Sequence, residues 1–600
     1  MFVFIIPVFI LVVLYWLFTR EPISSYRKGK QLRKPAKCLT DDDCKYELKN
    51  LSAPRMAGQL FKFFTKFVFT RFGRKVLVPH LMKKSGMFVL DGVWLPETPT
   101  FAPLVDHEPV IEESSCEEEV EKLLKRSATC PRLTIADYTQ GYQSGQFTPT
   151  QVVTATMNCV EKFDPILKSI SQLDQQSVMK MASSSTKRWQ EGKPLSALDG
   201  VPVVIKEQLN VEPYVTCNGC TFVSPAGEGI GESTISLRLK EAGAIVLGVT
   251  SMQEMGFGTL GSNPNRGMSH NPYNTDHYAG GSSTGSAIAV AAGFCPISIG
   301  CDGGGSIRIP SALCGIVGLK PTFARVSSYG GIPTAFTVTH VGPMCSTVAD
   351  TAILYSVIAG RDEKCPVGLQ QPTPSLSSVS NLLLDGITIG VYNEWFEDAE
   401  TSIVLACKNA LKSLESLGAT IVQIKIPELE EVRVGHFISI ASELCASMAV
   451  DFDEHFSDYN PETVGAAAGG YATTGTQYFT ALKQRTRSID ILKNIFQKVD
   501  CIVTPATGMV APKIPADAVK CGQSDLTTTG TLMKFSALAN FTGIPGVVVP
   551  VGYDEDDLPI GLQVMGRWWE EHVILRVAHA VESVVEYKPP KIYCNPLENI

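Results

Sequence analysis

Runs such as Val201 to Ile205 and Ala244 to Thr250 carry apolar side chains on consecutive positions, where a strand with one wet face would alternate. Such strands must be covered on both faces, and the helix-period windows that separate them supply the cover. Further candidates are Pro296 to Gly300, Thr388 to Val391, Cys501 to Thr504, Val547 to Val551 and Leu558 to Met565. From Leu133 onward no internal repeat or low-complexity block breaks the pattern, so residues 133–600 read as one large α/β domain.

The chain ahead of that domain divides in two. Phe2 to Phe18 is an uninterrupted apolar run, at the lower end of the ~17–25 residues that span a bilayer. Its basic neighbours, Arg20, Arg27, Lys28, Lys30, Arg33, Lys34 and Lys37, all follow it, whereas a cleaved signal peptide carries them in front. The expectation is a transmembrane anchor over residues 1–19 with the rest of the chain facing the cytoplasm. Residues 20–132 read as a basic linker and a helical pre-domain. There Leu60, Phe63, Phe64, Phe67 and Val68 recur at helical spacing, with Lys62 and Lys66 on the other side. No acidic residue occurs from Gln59 to Lys84, so this helix suits either the interface of an anionic membrane or packing of its Phe stripe on the domain.

Composition excludes some partners. Charged residues are 19% of the chain and the net charge is −8, so no global basic field points to nucleic acid. Seventeen cysteines are scattered, several inside apolar runs, and read as mostly reduced thiols. Cys217 and Cys220 have C-x-x-C spacing, but no second pair stands near to complete a metal site.

The densest chemical signal runs from Ala279 to Thr322, where glycines and serines cluster twice around a helix-sized run of small residues. In Asp302-Gly303-Gly304-Gly305-Ser306, N–H groups unshielded by side chains can converge on a developing oxyanion beside a serine hydroxyl. A phosphate cradle is a poor match, because neither G-x-x-x-x-G-K-[ST] nor G-x-G-x-x-G is present. A nucleophilic serine needs a base, and the nine histidines form no motif. Lys206, however, ends the apolar strand Val201 to Ile205; taken alone it reads either as a strand-end charge reaching solvent or as a buried amine whose desolvation lets it act as a base. Gly281-Ser282-Ser283-Thr284-Gly285 also fits the G-x-S-x-G elbow of α/β-hydrolases, yet the residues before it, Asp276 to Gly280, are not the strand that motif needs.

Together, G-V-P-x-x-x-K at Gly200 to Lys206, G-G-S-S, D-x-G-G-S-I-R-I-P and C-G-x-x-G-L-K-P-T resemble the amidase signature family. The resemblance implies a large mixed central β-sheet surrounded by helices, with Ser306 as nucleophile, Ser282 as a bridging serine after a cis peptide bond, and Lys206 as base. It further implies that Ser283 steadies the network and that Gly303, Gly304, Gly305 and Ser306 supply oxyanion N–H groups. Asp302 and Arg308 bracket the loop and are expected to hold it by a charge-assisted hydrogen bond. No metal or organic cofactor is implied.

Further stretches narrow the resemblance. Ile426 to Arg433, Val499 to Ile514, Val551 to Arg567 and, in the pre-domain, Ala53-Pro54, Lys83 to Met87 and Pro96 to Pro99 look like the plant-type fatty acid amide hydrolases. That branch implies a homodimer acting on lipid amides such as N-acylethanolamines, held at the endoplasmic reticulum or plasma membrane by its anchor. Met252, Met255 and Phe257 follow a strand and are candidates for lining an acyl channel or for core packing. Alternatives are an amidase or esterase of the same family on smaller amides, the glutamine-hydrolysing component of an amidotransferase, and a non-catalytic amidase-like membrane receptor.

Overall fold

The computed structural model describes residues 44–600 except Arg71, Gly92, 107–115, 126–129, 225–228 and Pro333, together with the backbone of Gln31 and Leu32. The expected anchor, Phe2 to Phe18, lies outside the described residues. Among those described, no helix is long and apolar enough to cross a membrane.

The molecule is organised around one 11-stranded sheet. Its strands in chain order are β1 (Ile170–Gln172), β2 (Pro202–Lys206), β3 (Ile245–Thr250), β4 (Ile297–Asp302), β5 (Val317–Lys320), β6 (His340–Cys345), β7 (Thr388–Val391), β8 (Thr420–Gln423), β9 (Cys501–Pro505), β10 (Gly546–Tyr553) and β11 (Pro559–Gly566). Across the sheet they run β8-β7-β9-β11-β10-β5-β6-β4-β2-β3-β1. Parallel pairs join β8 to β7, β7 to β9, β4 to β2 and β2 to β3, and every other pair is antiparallel, so the sheet is mixed as expected.

Alternation on β2 explains the consecutive apolar residues. Val203 and Ile205 enter one core, Val204 enters the core on the opposite face, and all three are fully buried. All seven candidate strands are present within a residue or two of their expected ends. Four strands escaped the pattern: β1 has three residues, β8 is a partly exposed edge strand, and β5 and β6 carry the glycines and proline that argue against a strand. Pro343 sits in β6 opposite Ile299, at a point that β5, paired only with Met344 and Cys345, does not reach.

Five helices frame the site: α1 (Gly58–Val68), α2 (Thr284–Ala291), α3 (Arg308–Leu313), α4 (Leu429–Met448) and α5 (Pro461–Ala472). The pre-domain is stitched to the main domain. Met56–Ala57 pairs with Gln523–Ser524 as a short antiparallel ladder, and Arg55 bonds Asp517 at 2.6 Å. Beyond α1, the Phe69 ring packs on Phe452, Phe456 and Tyr471 at centroid distances of 5.1, 5.4 and 5.8 Å.

The Phe stripe on α1 needs a correction. Phe61, Thr65 and Val68 are its buried residues, with Phe64 half-buried, while Phe63 and Phe67 face outward. The helix is apolar on more than one side, so periodicity alone did not fix which side meets the domain. One cysteine pair departs from the reading of reduced thiols: Cys159 and Cys594 are joined.

Candidate active site

Lys206 ends β2 between two parallel neighbours, so its side chain enters the interior instead of reaching solvent. Its Nζ lies 2.8 Å from Ser282 Oγ and 3.3 Å from the Cys301 carbonyl, and the residue is fully buried. Burial lowers its pKa to about 8, against the attraction of Asp302. Ser282 follows a cis peptide bond from Gly281, and its carbonyl accepts from the Gln253 N–H at 3.2 Å. Ser283 Oγ both accepts from the Cys301 N–H and donates to the Cys301 carbonyl, each at 3.1 Å, and its own N–H donates to the Ser306 carbonyl at 3.2 Å. Ser283 thereby ties the loop of Ser282 to that of Ser306. Among the described residues no hydrogen bond joins Ser306 Oγ to Ser282; such contacts commonly tighten only when substrate binds.

The Ser306 loop is wrapped around Asp302, the last residue of β4. Its carboxylate accepts from the N–H groups of Gly305 at 2.6 Å and Ile307 at 3.1 Å, and from Arg308 Nε at 3.0 Å and Nη2 at 3.1 Å. Burial alone would raise the carboxyl's pKa, but the Arg308 guanidinium and these donors outweigh it and hold Asp302 far below the usual carboxylate range. Arg308 opens α3, fully buried, and also donates to Gln563 on β11 at 2.7 Å, to Asn540 and to the Ser536 carbonyl. Lys320, at the end of β5, gives its Nζ to the Ile544 carbonyl at 2.6 Å.

One expectation changes here. The Gly305 N–H is taken by Asp302, so it positions the loop and is not available to an oxyanion. Gly305 has φ near +116°, a conformation that admits little but glycine.

A cavity of about 540 Å³ opens on Ser306 and Gly304. Leu60, Phe61, Phe64 and Val68 of α1 form part of its wall, opposite Val432, His436 and Ile440 of α4. Phe257 lines this cavity, whereas Met255 faces a void of only about 10 Å³ beside Lys206 and Ser282. Met252 lines neither; it is buried, and a Cβ added at Gly219 would lie 3.2 Å from its Cγ. Of the three candidate channel residues, only Phe257 therefore faces the large cavity, because the turn after β3 sends the methionines inward.

Residues 151–575 match the family described as Amidase. The chain belongs to the amidase signature family. A fatty acid amide hydrolase from Medicago truncatula is 36% identical over 590 residues, covering 92% of this chain and 96% of that protein. One component of the glutamyl-tRNA(Gln) amidotransferase of Thermosynechococcus vestitus is 33% identical over 470 residues, covering 73% of this chain and 95% of that one. Among solved structures, a bacterial aryl acylamidase of the amidase signature family superposes with a TM-score of 0.67 at 26% identity, over 76% of this chain and 96% of its own. The chain is thus an amide hydrolase of the amidase signature fold, similar to fatty acid amide hydrolases.

Three residues of this amidase site have no motif of their own. Gln563 left a trace, as the one amide in the apolar strand Pro559–Gly566; buried, it must find partners, and it bonds Arg308, Thr504 and the Phe535 carbonyl. Asn540 and His436 left none, since a polar residue inside a helix gives no sign of what it faces.

Proposed function

We propose that this chain is a membrane-anchored serine hydrolase cleaving fatty acid amides, N-acylethanolamines among them, to a free fatty acid and an amine such as ethanolamine. The observation that carries the reading is an apolar cavity that runs from Ser306 to helix α1, with Ser283 tying the Ser306 loop to that of the buried Lys206–Ser282 contact. Its volume is in the ~300–1,000 Å³ range of small-molecule sites, and its apolar wall suits an acyl chain better than glutamine.

In this mechanism neutral Lys206 takes a proton from Ser282, which takes one from Ser306 as Ser306 Oγ bonds to the amide carbon. The oxyanion is met by the N–H groups of Gly303, Gly304 and Ser306. Lys206 returns the proton through Ser282 to the departing nitrogen, and water repeats the sequence on the acyl-enzyme.

Two features support the lipid reading over the amidotransferase one. The likeness to the Medicago truncatula enzyme extends over more than residues 133–600, so it takes in part of the chain ahead of the main domain. The apolar run Phe2 to Phe18, read as an anchor, and the outward Phe63 and Phe67 of α1 would keep the enzyme where lipid amides partition.

Purified protein in detergent, offered N-acylethanolamines, oleamide, acyl esters and glutamine, should hydrolyse the long-chain amides and leave glutamine intact. A fluorophosphonate probe should label Ser306, and Ser306→Ala should abolish both labelling and turnover. Labelling of Ser283 in the unmodified protein would replace this assignment with the elbow reading.

A further inference from the structure

His436 stands on α4 with Nε2 2.7 Å from the Gly303 carbonyl oxygen, and only 2% of the residue is exposed. A carbonyl oxygen accepts and does not donate, so Nε2 carries the hydrogen in this contact. Burial pushes the ring's pKa down to about 4, assisted by the positive charges of Arg485 and Arg308, so it stays neutral at physiological pH. His436 lines the large cavity with Gly304 and Ser306, and a Cβ placed on Gly304 would come within 3.0 Å of the ring.

The Gly303–Gly304 peptide bond is trans, since the only cis bonds among the described residues are Glu212–Pro213 and Gly281–Ser282. In a planar trans peptide the C=O of one residue and the N–H of the next point in opposite directions. Anchoring the Gly303 carbonyl therefore fixes where the Gly304 N–H points. Between two glycines a peptide plane turns over with little steric cost, so this orientation depends on its hydrogen bond. The next N–H along, that of Gly305, is already committed to Asp302, which leaves Gly304 as the glycine donor whose aim His436 sets.

We propose that His436 is a positioning residue for the amidase reaction: by holding the Gly303 carbonyl it presents the Gly304 N–H to the oxyanion formed at Ser306. The inference rests on the reading that Ser306 is the nucleophile. Removal of one oxyanion donor costs about 10²–10³ in kcat, and removal of the group that aims one should cost on the order of ten- to a hundredfold.

The test uses the full chain in detergent with a long-chain acyl trifluoromethyl ketone and the corresponding alcohol as inhibitors. Ser306 Oγ adds to the ketone carbon, its proton leaves through Ser282 to Lys206, and the former carbonyl oxygen bears the negative charge; the alcohol fills the cavity without reacting. His436→Ala should lower kcat on the amide with KM changed less than about threefold, and should weaken the ketone by a similar factor to kcat while leaving the alcohol unchanged. His436→Gln, whose amide can reach Gly303, should recover most of both losses, and the shorter His436→Asn should not. If His436→Ala does not fold, the Gln and Asn variants carry the same comparison. Equal weakening of ketone and alcohol, or ketone affinity unchanged while kcat falls, overturns the assignment. Retained turnover in Ser306→Ala is a separate result that removes the nucleophile reading itself.

Discussion

Lys206 behaves unlike an exposed lysine because its ammonium is fully buried. Burial brings its pKa from 10.5 to about 8, so near pH 7 about a tenth of molecules hold it neutral and ready to accept a proton. The pH profile of kcat/KM should accordingly rise and level off around an inflection near 8, and Lys206→Ala should lose several orders of magnitude at pH 7 and then gain rate with hydroxide. The same depression acts on stability. Between about pH 8 and 10.5 the unfolded chain binds the proton that the folded chain has given up, so stability climbs with pH across that window. Below it the folded state carries a buried ammonium at full penalty. Lys206→Met removes that penalty and should be more stable than the unmodified protein at pH 7, by on the order of 1–3 kcal/mol, with the difference closing towards pH 10.5. Urea denaturation of both proteins at pH 7 and pH 10 checks this; a Met variant less stable at pH 7 would make Lys206 a structural anchor in place of a base.

At the level of the element, α1 has two apolar sides with different tasks. Phe61 is 2% exposed and lies against Gly465 of α5, whereas Phe63 is 50% exposed. Phe61→Ala should cost about 3–5 kcal/mol of stability in its part of the molecule and alter the cavity wall, raising KM for long-chain amides. Phe63→Glu with Phe67→Glu should leave detergent activity within about twofold and reduce flotation with anionic vesicles, most clearly in a form lacking residues 1–27. Loss of detergent activity in that double variant would assign the outer face to folding. The helix was legible as a helix but not as a surface, because a segment apolar on both sides satisfies the helical period in more than one way. Strands with continuous apolar runs, such as β2 and β3, were legible because burial on both faces leaves a pattern in the residues themselves. The Ser282 and Ser306 loops were legible because their spacing repeats a motif. His436 was not, since its contact spans 133 residues and depends on how α4 packs over the loop. The commitment of the Gly305 N–H to Asp302 was equally hidden, for the run Gly303-Gly304-Gly305 offers three similar N–H groups and only the fold divides them.

For the whole molecule, the proposed anchor would act in series with an apolar outer face on α1 and a cavity whose wall includes the inner face of that helix. A lipid amide in such an arrangement passes from bilayer to Ser306 with little exposure to water, which favours it in proportion to the apolar area kept dry. Deleting residues 1–27 should therefore separate two properties. Hydrolysis in detergent should stay within about twofold, because residues that tie the pre-domain to the main domain, such as Tyr46, Arg55 and Met56, remain in place. Turnover of substrate held in vesicles should fall at least tenfold, since the enzyme then meets the bilayer only through the weaker face of α1. Orientation has its own reporter in Asn50-Leu51-Ser52, an N-glycosylation acceptor whose asparagine is exposed. With the basic residues all on the C-terminal side of the apolar run, the domain should face the cytoplasm and this site should remain unmodified in a eukaryotic host. Endoglycosidase treatment should leave the protein's mobility on a gel unchanged. A mobility shift, abolished by Asn50→Gln, would place the domain in the lumen and reverse the topology while leaving the chemistry at Ser306 intact.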